Sequence, residues 1–250
     1  RAAFDNGGQA MSGLMMLTGG PVTGGPVGTA FSLVDRISSL HAAIGAVSAL
    51  HHRTKTGEGQ VIDVCLMDSA MTTVEIPSSY YLATGKEGGE FGRVPYAAKD
   101  GWVVASPGSS PKMRKRIYEM MEMEDTGDHQ PLGGAFFMRL PALVDWIKER
   151  TAEEASQKLI AIGVPAAPVR TVPQALKDPQ VWERGNLVKV DDALAGELHV
   201  PGLAIKFSKT PGALGPVPTP GQHTEEILSR LAGFDHAKIE QLREKNIIAG

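Results

Sequence analysis

The chain has 250 residues, 42% of them hydrophobic and 21% charged, enough for one large domain or two modest ones with real cores. A formal net charge of −3, with no basic run beyond "KMRKR" at Lys112–Arg116, excludes a nucleic-acid footprint or polybasic membrane patch, and no apolar run near 18 residues or basic-then-apolar leader predicts a membrane span or signal peptide. Cys65 is the only cysteine, which excludes an intrachain disulfide and a Cys-based zinc site and fits a reducing, cytoplasmic setting; the histidines show no helical ligand pair, so no metal is expected.

The opening "RAAFDNGGQAMSGL" reads as the middle of a domain, so the chain is expected to be a piece of a longer protein. From Gln9 to Leu17, the residues Ala10, Leu14 and Leu17 recur at helical spacing, and "TGGPVTGGPVG" then reads as a flexible loop. Its two GGPV copies lie too close together for a solenoid repeat. Ile37, Leu40, Ile44, Val47 and Leu50 mark one face of a helix running to about His52, with Asp35 as its N-cap. The turn "TGEGQ" leads into "VIDVCLM", a near-continuous apolar run that predicts a strand covered on both faces, as in a parallel sheet. Cys65 would be a small core residue there, and Asp63 a buried acid in need of a partner. Asp68–Thr84 predicts a helix kinked or ended by Pro77, and the glycine-rich "GKEGGEFGR" at Gly85–Arg93 is the best domain boundary.

Beyond it, "DGWVVAS" has the form of a turn feeding a strand, and Pro111–Met123 and Ala142–Arg150 have helical patterns. Thr151 with Glu154 makes a capping box for a helix over Ala152–Ile162 that stops at Gly163. "VPAAPV" is a short edge strand, and Thr171 with Gln174 forms a second capping box before "PQALKDPQVWERG". A Pro/Gly-rich coil at Pro211–Pro220 precedes two further helices in the tail.

Asp35 carries the one suggestion of chemistry. An acid before an apolar helix is ordinarily a cap, yet the positive end of the helix dipole also keeps a carboxylate ionised, the state a nucleophile needs. Ser38 and Ser39 lie inside the helix and no G-x-S-x-G is present, so serine-hydrolase chemistry is not expected. "GKEGGEFGR" lacks Walker spacing and reads as a solvated hinge.

At "AFDNGGQAMSGLMMLTG", at "VDRISSLHAAIGAVSALHHRTKTGEGQVIDVCLMDSA" and at "PAAPVRTVPQALKDPQVWERG" the chain resembles the class III CoA-transferase family, which includes formyl-CoA and carnitine CoA-transferases. The likeness is nearly collinear from Arg1 to Asn246. It implies an α/β fold: a Rossmann-like large domain, incomplete here, plus a smaller α/β domain. The corresponding division is 1–85 for the large domain with the nucleophile, 86–192 for the small domain, and 193–250 for a linker and C-terminal helices. The resemblance implies that Asp35 is the nucleophile and that Phe4, Asp5, Gln9, Gly88 and Gly89 bind substrate. It implies a coenzyme A thioester as substrate with no permanently bound cofactor, acyl-CoA and a carboxylic acid as partners, and an interlocked homodimer. Many members carry glycine just before the nucleophile and four residues after it, where this chain has Val34 and Ser39.

Two other readings stand beside transfer. The racemase branch of the superfamily has a histidine at or near Phe4, and phenylalanine cannot take a proton. A non-catalytic assembly piece would use Asp35 as a cap alone. The resemblance also implies that adenine and phosphate contacts come mostly from a preceding segment, so the chain is expected to bind CoA poorly and to expose apolar surface.

Overall fold

The computed structural model describes residues 4–87, 95–106, 110–125, 130–132 and 137–248, with 21, 22, 130–132 and 137–139 described by backbone alone. Helices α1 (Asp5–Met11) and α2 (Leu14–Thr23) open the chain, so the expected single helix over Gln9–Leu17 is two, broken at Ser12 and Gly13. The first GGPV copy is helical and not loop. Tertiary packing overrides its poor propensity: the returning chain lies directly on Gly19, where a Cβ would sit 2.3 Å from the Gly25 carbonyl oxygen, and the Val27 N–H reaches the Met15 carbonyl at 3.0 Å.

The long helix α3 (Leu33–Thr56) continues one turn past His52 and ends at Gly57. Its N-cap position is Ser32, which places Asp35 at the third helical residue and not at the cap. By length and composition α3 could cross a bilayer, which corrects the expectation that no segment could. Small residues raise its average apolarity without forming a continuous run. Helices that pack inside water-soluble proteins meet the same criterion.

Val61–Cys65 forms no strand. A strand must pair its N–H and C=O groups, and none of the described residues offers that run a ladder. Asp63 and Cys65 are exposed rather than buried, and the Cys65 thiol sulfur accepts the Asp68 N–H at the start of α4 (Leu66–Met71). The helix expected over Asp68–Thr84 is interrupted by a 3₁₀ turn at Thr72–Val74 before α5 (Glu75–Thr84). Pro77 sits in the first turn of α5, where its missing N–H costs little.

Next come β1 (Tyr96–Ala97), β2 (Trp102–Ala105), α6 (Pro111–Met121), β3 (Gln130–Leu132), β4 (Phe137–Arg139), α7 (Pro141–Lys148), α8 (Ala152–Ala161) and β5 (Ala166–Pro168). β2 pairs antiparallel with β1 on one side and β5 on the other, leaving β5 at the edge as its proline-rich sequence requires. β3 and β4 pair antiparallel. The core is drawn from Tyr96 to Val164: Val103 from β2, Ile117, Tyr118 and Met121 from α6, Leu143 and Ile147 from α7, and Ala155 and Leu159 from α8 are buried together. Thr151 and Glu154 make the expected capping box.

Two compact units make up the chain, and the division between them follows Val169. The sequence boundaries stand elsewhere, at 85/86 and 192/193. The second of these falls inside a hairpin, and backbone pairing holds its two sides together. The unit from Arg170 on contains α9 (Val172–Ala175), α10 (Pro179–Glu183), β6 (Leu187–Asp192), β7 (Gly196–Pro201), α11 (Thr224–Arg230) and α12 (His236–Glu244). The capping box of Thr171 and Gln174 opens α9, and the two tail helices form as expected. The β6–β7 hairpin, in register from Leu187–Pro201 to Asp192–Gly196, is not among the elements the sequence predicts, and it spans the expected start, at 193, of a linker and C-terminal helices. All paired strands among the described residues are antiparallel.

Candidate active site

Every helix begins with backbone N–H groups that have no partner within it. In α3 the side chain of Ser32 does not cap. The Arg36 N–H makes the first helical bond, to the Ser32 carbonyl at 3.3 Å, and the Leu33 N–H reaches the Phe31 carbonyl at 2.7 Å. Those of Val34 and Asp35 donate to one carboxylate oxygen of Asp5, at 2.6 and 3.2 Å. An acid 29 residues upstream of Val34 therefore does the capping that the sequence assigns to Asp35.

Asp5 is buried, and its second oxygen accepts from the Gln9 amide at 2.5 Å. Gln9 is fully buried one helical turn along α1, where i and i+4 share a face. Its amide nitrogen also donates to the Thr29 hydroxyl at 2.9 Å, while its amide oxygen accepts the Thr29 N–H at 2.9 Å. Thr29 in turn donates its hydroxyl to the Phe31 carbonyl at 2.7 Å. Burying the polar groups of Asp5 and Gln9 is tolerable only when each is satisfied, and here each is. The Gln9 orientation is fixed by it: a flipped amide would set oxygen against carboxylate and N–H against N–H.

Apolar packing sets the same approach of α1 to α3. Val34 is fully buried, and a Cβ on Gly8 would come within 2.9 Å of its Cγ1. Thus the chain carries valine just before Asp35 and glycine at the facing position on α1. Behind this corner, His41 Nδ1 lies 3.1 Å from the hydroxyl of buried Ser69, tying α3 to α4.

The Asp35 side chain itself is exposed, with no hydrogen bond among the described residues, and only its backbone is held. Phe4, immediately before α1, is 90% exposed, so it packs in no core among the described residues. Of the residues singled out in the sequence, Asp5, Gln9 and the backbone of Asp35 converge at the head of α3, while Gly88 and Gly89 lie outside the described residues. Thr29 and Gly8 complete the corner without having been anticipated. Their signals are not local, because each acts on a partner 20 or more residues away. The arrangement can present one ionisable, solvent-reachable carboxylate on a rigidly anchored helical turn, as a nucleophile requires.

The model of CoA-transferase family III matches residues 1–224. Succinyl-CoA:glutarate CoA-transferase of Homo sapiens is 29% identical, with 99% of this chain and 60% of the relative covered. The succinyl-CoA–L-malate CoA-transferase alpha subunit of Chloroflexus aurantiacus is 31% identical, covering 99% and 61%. The chain thus spans about 60% of the length of the curated relatives it matches. A CAIB/BAIF family protein from Brucella suis superposes with a TM-score of 0.69 at 28% identity, covering 92% of this chain and 63% of that one. Rv3272 from M. tuberculosis shares the fold with a TM-score of 0.71 at 22% identity, covering 90% and 63%. The chain therefore belongs to CoA-transferase family III, and its mixed helix-and-sheet architecture is the α/β fold of that family.

Proposed function

We propose that the protein to which this chain belongs moves CoA between an acyl-CoA thioester and a free carboxylic acid, with Asp35 as the covalent nucleophile. One observation carries the assignment of Asp35: its carboxylate is exposed and has no capping duty, because Asp5 caps α3 in its place. The Asp35 carboxylate attacks the thioester carbonyl and the C–S bond breaks, leaving a mixed anhydride and CoA thiolate. The thiolate attacks the aspartyl carbonyl, releases the donor acid and leaves an aspartyl-CoA thioester. An acceptor carboxylate then displaces CoA from Asp35, and the thiolate takes the acceptor acyl group from the second anhydride, returning Asp35 as a carboxylate. Splitting one hard exchange into several easier displacements is what covalent catalysis contributes. CoA thioester is substrate throughout, no resident cofactor is required, and the same reading carries an interlocked homodimer.

The names of the relatives make succinyl-CoA the first donor to test, with a dicarboxylic acid as acceptor. Full-length protein is incubated with succinyl-CoA, treated with hydroxylamine and digested for mass spectrometry. A hydroxamate on Asp35 is the expected result. An unmodified Asp35 under turnover sinks the proposal, and exchange of the substrate α-hydrogen with solvent in the absence of acceptor would assign racemisation instead.

A further inference from the structure

We infer that Asp5 is a positioning residue for Asp35, and that buried Asp5 and Gln9, with half-buried Thr29, form a latch setting the nucleophile's main chain; the inference rests on the covalent role of Asp35 proposed above. The two oxygens of Asp5 have separate duties. One takes the N–H groups of Val34 and Asp35, so the nucleophile's own peptide hangs from it. The other is held by Gln9, whose remaining polar atoms are spent on Thr29. Thr29 lies six residues before Asp35, in the segment that delivers the chain to α3. The latch therefore grips α3 from both directions: at its first turn through Asp5, and at its lead-in through Gln9 and Thr29.

A carboxylate suits this post better than a hydroxyl or amide. It accepts two N–H bonds on one oxygen and a third on the other, and its charge faces the positive end of a 24-residue helix. It also occupies the capping site, so the Asp35 carboxylate is not drawn back onto its own backbone, as acids in a first turn often are. Anchoring of this kind matters to rate because displacement of a reacting group by about 1 Å can cost roughly a hundredfold.

The test uses full-length protein and reads two quantities: amide hydrogen exchange at Val34 and Asp35, and the rate of hydroxylamine-trapped adduct formation on Asp35. In folded Asp5→Ala we expect faster exchange at both amides and adduct formation slowed roughly tenfold to a hundredfold, with KM for the acyl-CoA within about twofold of wild type. A residue that merely supports the fold would not separate the two kinetic constants in this way. Asp5→Asn covers the case in which the alanine variant does not fold. Its amide would face the Gln9 amide donor to donor, and adding Gln9→Glu restores an acceptor there, so the double variant should recover exchange protection and adduct rate relative to Asp5→Asn. Wild-type labelling of Asp35 together with an unchanged rate in folded Asp5→Ala, or no recovery in the folded double variant, overturns the positioning role alone. Absence of the adduct in the wild type overturns the covalent reading and this inference with it.

Discussion

Asp35 and Asp5 are both acids near the head of α3, yet they are not equivalent, and burial separates their roles. Asp5 is buried and spends its oxygens on backbone and Gln9, whereas Asp35 is exposed and has no side-chain partner among the described residues. It follows that Asp35→Ala, which cannot cap, should leave the unfolding free energy within about 0.5 kcal/mol of wild type, as surface substitutions away from a cap do. In the full-length protein it should lower turnover by more than about a thousandfold, as removal of a covalent nucleophile does. Thermal unfolding and steady-state rates on the same preparation check both. A stability loss typical of a vanished cap, about 1 kcal/mol, would mean that Asp35 and not Asp5 holds the helix.

Several shorter elements are held by carboxylates that use the same chemistry at the surface. Glu154 is held below its ordinary range first by the Thr151 N–H and then by its hydroxyl, at the start of α8. The Gln180 N–H, followed by the Arg170 guanidinium, does the same for Asp178 before α10, and the N–H groups of Ala195 and Leu194 do it for Asp192 in the turn between β6 and β7. A carboxyl whose folded pKa lies below its unfolded value contributes stability in full above the unfolded value and loses it as pH falls through the folded one. Helix starts and the hairpin turn should therefore be unaffected above about pH 5 and loosen progressively below about pH 4. Amide chemical shifts of Thr151, Gln180, Leu194 and Ala195, the donors to these carboxylates, followed by NMR from about pH 6 to about pH 2, would show it. Shifts that stay flat through that window would remove the carboxylates from the account.

Across the whole molecule, α3 shows an unusual face. Leu40, Ile44, Val47 and Leu50, at the helical spacing that normally marks a core stripe, are each at least half exposed. Ile76, Leu82 and Val61 add to the apolar surface of the same unit. In a chain spanning about 60% of its relatives' length, such a face is the kind that packs against further protein. Because these side chains are exposed among the described residues, Ile44→Gln and Val47→Gln should change the stability of this chain by no more than about 0.5 kcal/mol each. They should also lower the fluorescence of a hydrophobic dye such as ANS bound to it. A loss of several kcal/mol would show that the stripe is already buried within the chain.

What the sequence determined by itself is mostly what short-range chemistry decides. The capping boxes of α8 and α9, the Gly163 stop, the turn into β2 and the two tail helices form where the residues predict, because their partners lie within four positions. Asp5, Gln9 and Asp35 could be singled out through family resemblance, but their division of labour could not. Capping of α3 depends on a contact 29 residues long, and no local pattern distinguishes a carboxylate that reaches its own helix from one held by another. The same limit explains "VIDVCLM" and the first GGPV. An apolar run states that it could be covered, not what pairs with it, and a glycine-rich run becomes helical when returning backbone lies on it. Tertiary structure decided these points because hydrogen-bond partners and packing neighbours are set by where the chain returns in space, which residue spacing does not encode.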